Sequence, residues 1–121
     1  MSDEVAFTAT RLFELKGASQ ILVSIRIGNT DPGGSSVYHD GVFLTEVDGD
    51  LINYTVPAQP GALRNTILTT VTSVRDTNPQ TNRTVISYSV QGGNATYQED
   101  FEINVPHQGG RAVYTITLAL I

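Results

Sequence analysis

The sequence predicts a mainly β protein, an antiparallel sheet of about five to seven strands forming one domain over residues 1–121. Three observations predict this class. Thr, Val, Ile and Tyr, which favour strands, are plentiful. Apolar and polar residues alternate along most segments, and clusters of Gly, Pro, Asp and Asn separate these segments. Strands do not alternate with helical patterns, so an antiparallel arrangement is expected.

The bulk composition is that of a globular protein, with 40% apolar and 16% charged residues. The lack of cysteine excludes disulfides, thiolate metal sites and a cysteine nucleophile. Neither a signal peptide nor a membrane span is indicated, so we expect a soluble, non-secreted chain without a membrane partner. A formal charge of −5 opposes non-specific binding to nucleic acid.

The first two strands are expected to form an N-terminal hairpin. Residues 5–13, "VAFTATRLF", begin to alternate, and "KGAS" at 16–19 is typical of a turn. The following "QILVSIRIGN" places Ile21, Val23 and Ile25 on one face. Antiparallel pairing across the turn is the simplest arrangement.

The middle of the chain alternates between loops and short strands. "NTDPGGSS" at 29–36 is the strongest loop signal in the sequence. "GVFLTEV" at 41–47 predicts a strand that "DGD" at 48–50 ends, and "LINYTV" at 51–56 predicts another. Pro57 ends that strand because proline cannot donate to a central ladder.

Two alternating runs, residues 65–75 and 83–91, surround a polar turn and predict a second hairpin. The buried face of the second run carries Ile86, Tyr88 and Val90. In the first run the buried face is undecided between two sets, Leu68 with Val74 and Ile67 with Val71.

The C-terminal part predicts one further strand and a segment of undecided type. "ATYQEDFEINVP" at 95–106 alternates apolar Phe101, Ile103 and Val105 with polar residues. "GGRAVYTITLALI" at 109–121 fits either a strand or an amphipathic helix, and its β-branched residues favour the strand.

Candidate metal sites are weak, and we expect neither metal nor cofactor. His39 and His107 flank glycine-rich turns and lack further ligands at zinc-site spacing. Asp48 and Asp50 surround a glycine, which favours a turn between strands; two oxygen ligands for calcium are the alternative.

A catalytic role is not expected either. Glu99, Asp100 and Glu102 form a carboxylate cluster, but in a strand only the last two share a face. No pocket for acid and base catalysis can be inferred, and no nucleophile motif is present.

The polar face of the second hairpin is the most specific candidate site. Hydroxyl and guanidinium groups on a sheet suit hydrogen bonds to phosphates and unstacked bases, and Tyr97 adds an aromatic ring for stacking. The span from Leu51 to Gln98 contains three arginines and one acidic residue, Asp76, whereas five acidic residues fall between residues 31 and 50. The alternative is a face that is simply solvated.

The order of segments adds a family resemblance. "DGVFLTEVDGDLINYTVPAQPGALRNTILTTVTSVRDTNPQTNRTVISYSVQGG", residues 40–93, resembles the central part of the coat proteins of single-stranded RNA bacteriophages. The shared features are a Gly-Val strand start, a "VPA" approach, a Thr/Ser/Val strand ending near arginine, a turn with Asn-Arg and a second alternating strand. The segment at 109–121 occupies the place of the first C-terminal helix in that family.

The resemblance implies a non-catalytic structural protein. It would dimerise through one continuous sheet with C-terminal helices outside, assemble into an icosahedral shell in the host cytoplasm, and form the virion. Its partners would be itself and genomic RNA. The RNA-facing positions carried over from the family are Thr69, Ser73, Arg75, Arg83, Ser87 and Tyr97. Self-association would also cover exposed sheet edges.

A second hypothesis from another class is a monomeric β-sandwich module for binding or adhesion. It would use the acidic loops from Asp31 to Asp50 to bind calcium or carbohydrate.

Overall fold

The computed structural model describes residues 4–15, 20–57, 62–92 and 95–121. These residues form nine strands: β1 (Glu4–Phe13), β2 (Ile21–Ile27), β3 (Gly33–His39), β4 (Val42–Asp48), β5 (Leu51–Thr55), β6 (Thr66–Arg75), β7 (Arg83–Gly92), β8 (Ala95–Asn104) and β9 (Arg111–Leu120). The described ranges hold no helix, and so none that is long and apolar enough to span a membrane.

The strands form two sheets, and the mainly β class is confirmed. The first sheet has the order β1-β9-β6-β3-β4 and the second β5-β2-β7-β8. Every neighbouring pair is antiparallel except β1 and β9, which run parallel. The expectation of one sheet with five to seven strands is corrected, because nine strands divide between two sheets that share one core.

The C-terminal segment is a strand. β9 lies between β1 and β6 in the first sheet, and its even-numbered side chains are buried. This result decides between the two alternatives for residues 109–121, and it places a strand where the coat family has a helix. The β-branched residues of the segment suit this position because they pack well on a pleated surface.

Alternation identifies the core correctly in most strands. The expected buried residues of β2 and β7 are fully inaccessible: Ile21, Val23, Ile25, Ile86, Tyr88 and Val90. In β6 the buried face carries Leu68 and Val74 together with Thr70 and Thr72, which settles the undecided face. The Thr72 hydroxyl lies 2.8 Å from that of Ser35, so its polar group is satisfied inside the core.

The expected N-terminal hairpin is wrong. β1 pairs with β9 in the first sheet, whereas β2 pairs with β5 and β7 in the second. The proposed turn at 16–19 lies outside the described residues. The two strands alternate as expected, but their apolar faces meet across the core instead of lying side by side in one sheet.

The second expected hairpin is wrong as well. β6 belongs to the first sheet and β7 to the second, so residues 76–82 cross from one sheet to the other. Both strands turn their even-numbered side chains to the core, from opposite sides. A 2.6 Å hydrogen bond between the hydroxyls of Thr84 in β7 and Tyr114 in β9 joins the two sheets inside the core.

The expected loop at 29–36 ends earlier than the sequence indicates, because β3 begins at Gly33. A Cβ atom at Gly33 would lie 2.3 Å from the Ser73 carbonyl oxygen, and one at Gly34 would lie 2.6 Å from the Val47 carbonyl oxygen. Glycine therefore allows the two flanking strands to approach closely, and β3 enters the first sheet between β6 and β4.

Candidate ligand-binding groove

A groove of about 540 Å³ crosses the solvent-facing side of the first sheet at one end of its strands. We call it the outer groove. Its lining residues come mainly from β3, β4, β6 and β9: Pro32, Gly33, Gly34, Ser35, Ser36, Glu46, Val47, Asp48, Val71, Ser73, Arg75 and Arg111. Among them, Ser35 and Val47 turn their side chains toward the core. Its size is within the range typical of small-molecule sites, and its lining combines charged, hydroxyl and apolar groups.

The floor of the outer groove is low because its side chains are small. Gly34 pairs with Ser73, and Ser36 pairs with Val71, along the β3–β6 ladder. Paired residues point to the same face of a sheet, and these four point outward. A ligand can therefore approach the strand backbone closely along β3.

Two arginines form one rim of the outer groove. Arg75 of β6 and Arg111 of β9 are directly opposite each other in the ladder, and both are exposed. Within the described ranges neither guanidinium has a carboxylate at ion-pair distance. Arg11 and Arg83, by contrast, pair with Glu99 and Glu102. Like charges at opposed positions repel each other, and an anion that contacts both guanidinium groups would offset this repulsion.

The opposite rim is acidic. Glu46 and Asp48 of β4 line the outer groove, and their carboxylates make no hydrogen bond or ion pair with another described residue. The other three acidic residues of the 31–50 segment form hydrogen bonds with backbone N–H groups. The carboxylates of Asp31, Asp40 and Asp50 accept backbone N–H groups at 3.1, 2.8 and 2.9 Å. Gly49 has a φ of 79°, which confirms the expected turn after Asp48.

An aromatic pair lies on the same face, one row beyond the floor of the outer groove. Tyr38 of β3 and Phe43 of β4 pack edge to face with ring centroids 5.8 Å apart. Phe43 is 54% exposed. The row is next to that of Ser36, so an extended ligand bound in the groove can reach the aromatic rings.

The structure does not bring the six expected RNA-facing residues together. Thr69, Ser73 and Arg75 lie on the outer face of the first sheet, and Ser73 and Arg75 line the groove. The outer face of the second sheet, on the opposite side of the molecule, carries Arg83 and Ser87. The separation follows from the crossing of residues 76–82, which an alternating pattern cannot reveal.

Tyr97 has a different environment from the other five. It points inward from β8, half-buried, with its ring 6.1 Å from that of Tyr88. Its hydroxyl donates to Glu99, and burial followed by this hydrogen bond raises the pKa of Tyr97 to about 12. It is therefore a packing residue at the side of the sandwich.

The carboxylate cluster of β8 is split as expected. Glu99 faces inward, half-buried, while Asp100 and Glu102 are exposed on the other face. The Arg11 guanidinium donates to both Glu99 oxygens, at 2.9 and 3.0 Å. These bonds and the one from Tyr97 hold the pKa of Glu99 below its ordinary value. The hydrogen bonds among Arg11, Tyr97 and Glu99 connect β1 of the first sheet to β8 of the second.

The histidines make local contacts. His39 Nε2 lies 2.8 Å from the Thr66 hydroxyl, and His107 Nδ1 lies 2.9 Å from the Gln108 carbonyl oxygen. In the part of the chain that the structure describes, no three His, Cys, Asp or Glu side chains cluster as metal ligands.

Sequence reasoning found Arg75 but missed the residue that completes the rim. Arg111 is remote in sequence and adjoins Arg75 only through the β6–β9 pairing. Glu46 and Asp48 lie in the acidic segment from residue 31 to residue 50, where the sequence pairs Asp48 with Asp50 around a turn and gives no signal for Glu46. No family model, curated protein or solved structure matches this chain.

Proposed function

We propose that the protein is a non-catalytic module that binds an acidic oligosaccharide in the outer groove. The observation that carries this proposal is the opposed pair Arg75 and Arg111 at the end of the groove, neither of which has an ion-pair partner among the described residues. Guanidinium groups bind carboxylate and sulfate groups through paired, charge-assisted hydrogen bonds. Such a ligand would also relieve the repulsion between the two arginines.

The remaining groups suit the neutral parts of a sugar chain. Glu46 and Asp48 can accept hydrogen bonds from sugar hydroxyls, and Ser36 and Ser73 can both donate and accept. The exposed ring of Phe43 offers an apolar surface for the C–H face of a sugar ring. From the row of Thr69 to that of Arg75, β6 extends about 20 Å, which accommodates several sugar units.

The test is calorimetric titration with three soluble ligands: an oligogalacturonate, a sulfated oligosaccharide and a neutral oligoglucoside of similar length. We expect binding of at least one acidic ligand, no binding of the neutral one, and weakening with added salt. The double variant Arg75→Gln, Arg111→Gln should lower affinity at least tenfold.

The matched control is Arg26→Gln, because Arg26 is an exposed strand arginine on the second sheet, away from the groove. It should bind like the wild type. Equal binding of neutral and acidic ligands, or full affinity in the double arginine variant, would reject the proposal.

Assembly as a viral coat protein, which the segment order implies, is a second proposal. It is favoured by large apolar side chains on three edge strands: Leu12 of β1 is 66% exposed, Val42 of β4 63% and Ile52 of β5 45%. Exposed edges with apolar side chains promote self-association. Thr69, Ser73 and Arg75 are on one outer face and Arg83 and Ser87 on the other, so the inner surface of a shell would present one set to RNA.

Size-exclusion chromatography with absorbance detection of nucleic acid and protein separates the two proposals. RNA-containing particles support the coat proposal, and a protein-only monomer near 13.0 kDa rejects it. If particles form, Arg75→Ala and Arg83→Ala, made separately, show which face contacts RNA. Unchanged RNA content in both variants would show that neither arginine contributes to RNA binding.

A further inference from the structure

Three loops meet at the arginine end of the outer groove. The β2–β3 loop, residues 28–32, contacts the β6–β7 loop through a 3.1 Å hydrogen bond from the Thr77 N–H to the Asp31 carboxylate. The β6–β7 loop contacts the β8–β9 loop through two backbone bonds, from Asp76 N–H to the Gly110 carbonyl at 2.9 Å and from Gly109 N–H to the Asp76 carbonyl at 2.7 Å. The three loops therefore form one packed unit.

Two carboxylates are buried in this unit. Asp31 is 7% exposed and Asp76 is fully buried. Asp31 Oδ1 accepts the Thr77 N–H, and Asp76 Oδ1 accepts the N–H of Asn78, which follows Thr77, at 3.2 Å. Both carboxylates therefore lie against the same short stretch of backbone. The Oδ2 atom of each is buried without a hydrogen-bond partner among the described residues.

Among the described residues, no positively charged side chain compensates these carboxylates. Within the described ranges, the two ion pairs are those of Arg11 and Arg83, so no Lys, Arg or His lies at ion-pair distance from Asp31 or Asp76. A buried, unpaired carboxylate is strongly unfavourable. Asparagine would accept the same backbone N–H bonds without the charge, so hydrogen bonding alone does not explain two aspartates here.

We propose that Asp31 and Asp76 bind a calcium ion through their Oδ2 atoms, between the β2–β3 and β6–β7 loops. The two Oδ2 atoms are carboxylate oxygens, the ligand type that a hard cation prefers, and the remaining ligands would be oxygens of the surrounding loops. Calcium accepts six to eight oxygens in irregular geometry, as loops provide, whereas magnesium requires a near-ideal octahedron. Zinc is disfavoured because it prefers nitrogen and sulfur ligands.

The site adjoins the outer groove through the chain itself. Pro32 follows Asp31, Arg75 precedes Asp76 and Arg111 follows Gly110, and all three flanking residues line the groove. A bound calcium ion would fix the positions from which both arginines extend. Calcium binding does not depend on the proposed function, whereas this effect on the groove rests on it.

The experiment is thermal unfolding of the full chain in EDTA and in calcium chloride, with calorimetric titration of calcium into the wild type. At a calcium concentration about one hundred times Kd, the Tm of the wild type should rise by about 10 °C. Asp31→Asn and Asp76→Asn should show no calcium response. In EDTA their Tm should equal or exceed that of the wild type, because each removes a buried charge and keeps the oxygen that accepts the N–H.

The matched controls are Asp40→Asn and Asp50→Asn, whose aspartates also accept backbone N–H groups but are not buried. Both controls should keep the full calcium response. An unchanged wild-type Tm in calcium, or an equal response in the Asp31 and Asp76 variants, overturns the proposal. Titration of an acidic oligosaccharide in EDTA and in calcium then tests the groove separately, because loss of glycan binding leaves the calcium response intact.

Discussion

Replacing Arg75 by glutamine is expected to stabilise the unliganded protein while it weakens binding of an acidic ligand. Arg75 and Arg111 are opposed on neighbouring strands, which places their Cβ atoms about 5 Å apart, and we expect a comparable separation of about 6 Å between the two charges. At that separation two like charges repel by about 0.7 kcal/mol in water, or about 0.3 kcal/mol after screening at physiological salt. For a domain of this length, the corresponding rise in Tm is about 1–3 °C.

A double-mutant cycle isolates this energy from other effects of substitution. It compares urea unfolding of the wild type, Arg75→Gln, Arg111→Gln and the double variant. The single effects will differ, because Glu4 of β1 is next to Arg111 on its other side in the ladder. The coupling term should be repulsive, about 0.3–0.7 kcal/mol at low to physiological salt, and should approach zero in about 1 M salt. A coupling that is attractive, or that does not change with salt, refutes the reasoning.

Three further predictions concern the core and the side of the sandwich. Tyr114→Phe removes the bond to Thr84 while Thr84 keeps its bond to the Ile103 carbonyl, so we expect a loss of about 1 kcal/mol in urea unfolding; no change would contradict this role. Leu118→Ala, at a fully buried position of β9, should cost about 3 kcal/mol and lower Tm by about 12 °C; a loss below about 1 kcal/mol would show that the core collapses around the site. The pKa of Glu99 is lowered in the folded protein, so the ionised carboxylate stabilises the fold. This stabilisation is complete above the ordinary carboxyl pKa of about 4.3 and is lost as the pH falls through the lowered pKa. The Tm difference between the wild type and Glu99→Gln should therefore disappear in acid, and a difference that grows in acid would contradict the ion pair with Arg11.

The sequence predicted individual strands better than it predicted their partners. Alternation identified the buried faces of β2, β7 and β8, because burial on one side leaves a period of two in the residues. The same alternation arises whether consecutive strands pair in one sheet or face each other across a core. Both expected hairpins failed for this reason.

The candidate site was predictable only in part, for the same physical cause. Arg75 was identified because it ends a strand with an outward polar face. Its pairing with Arg111 depends on a contact between remote segments, which local pattern does not encode. The sequence predicts a loop at Gly33–Gly34 because glycine usually weakens strands, whereas here glycine allows the close approach of two neighbouring strands.

The position of β9 has a consequence for how fast the protein folds. β3 with β4, and β7 with β8, are consecutive strands that can pair early, one pair in each sheet. β9 must instead find β6 and β1, which are distant in the chain, so loop-closure entropy delays its docking. We therefore expect slow, single-step folding on the millisecond-to-second scale, in which Arg111 reaches Arg75 only when the last strand docks.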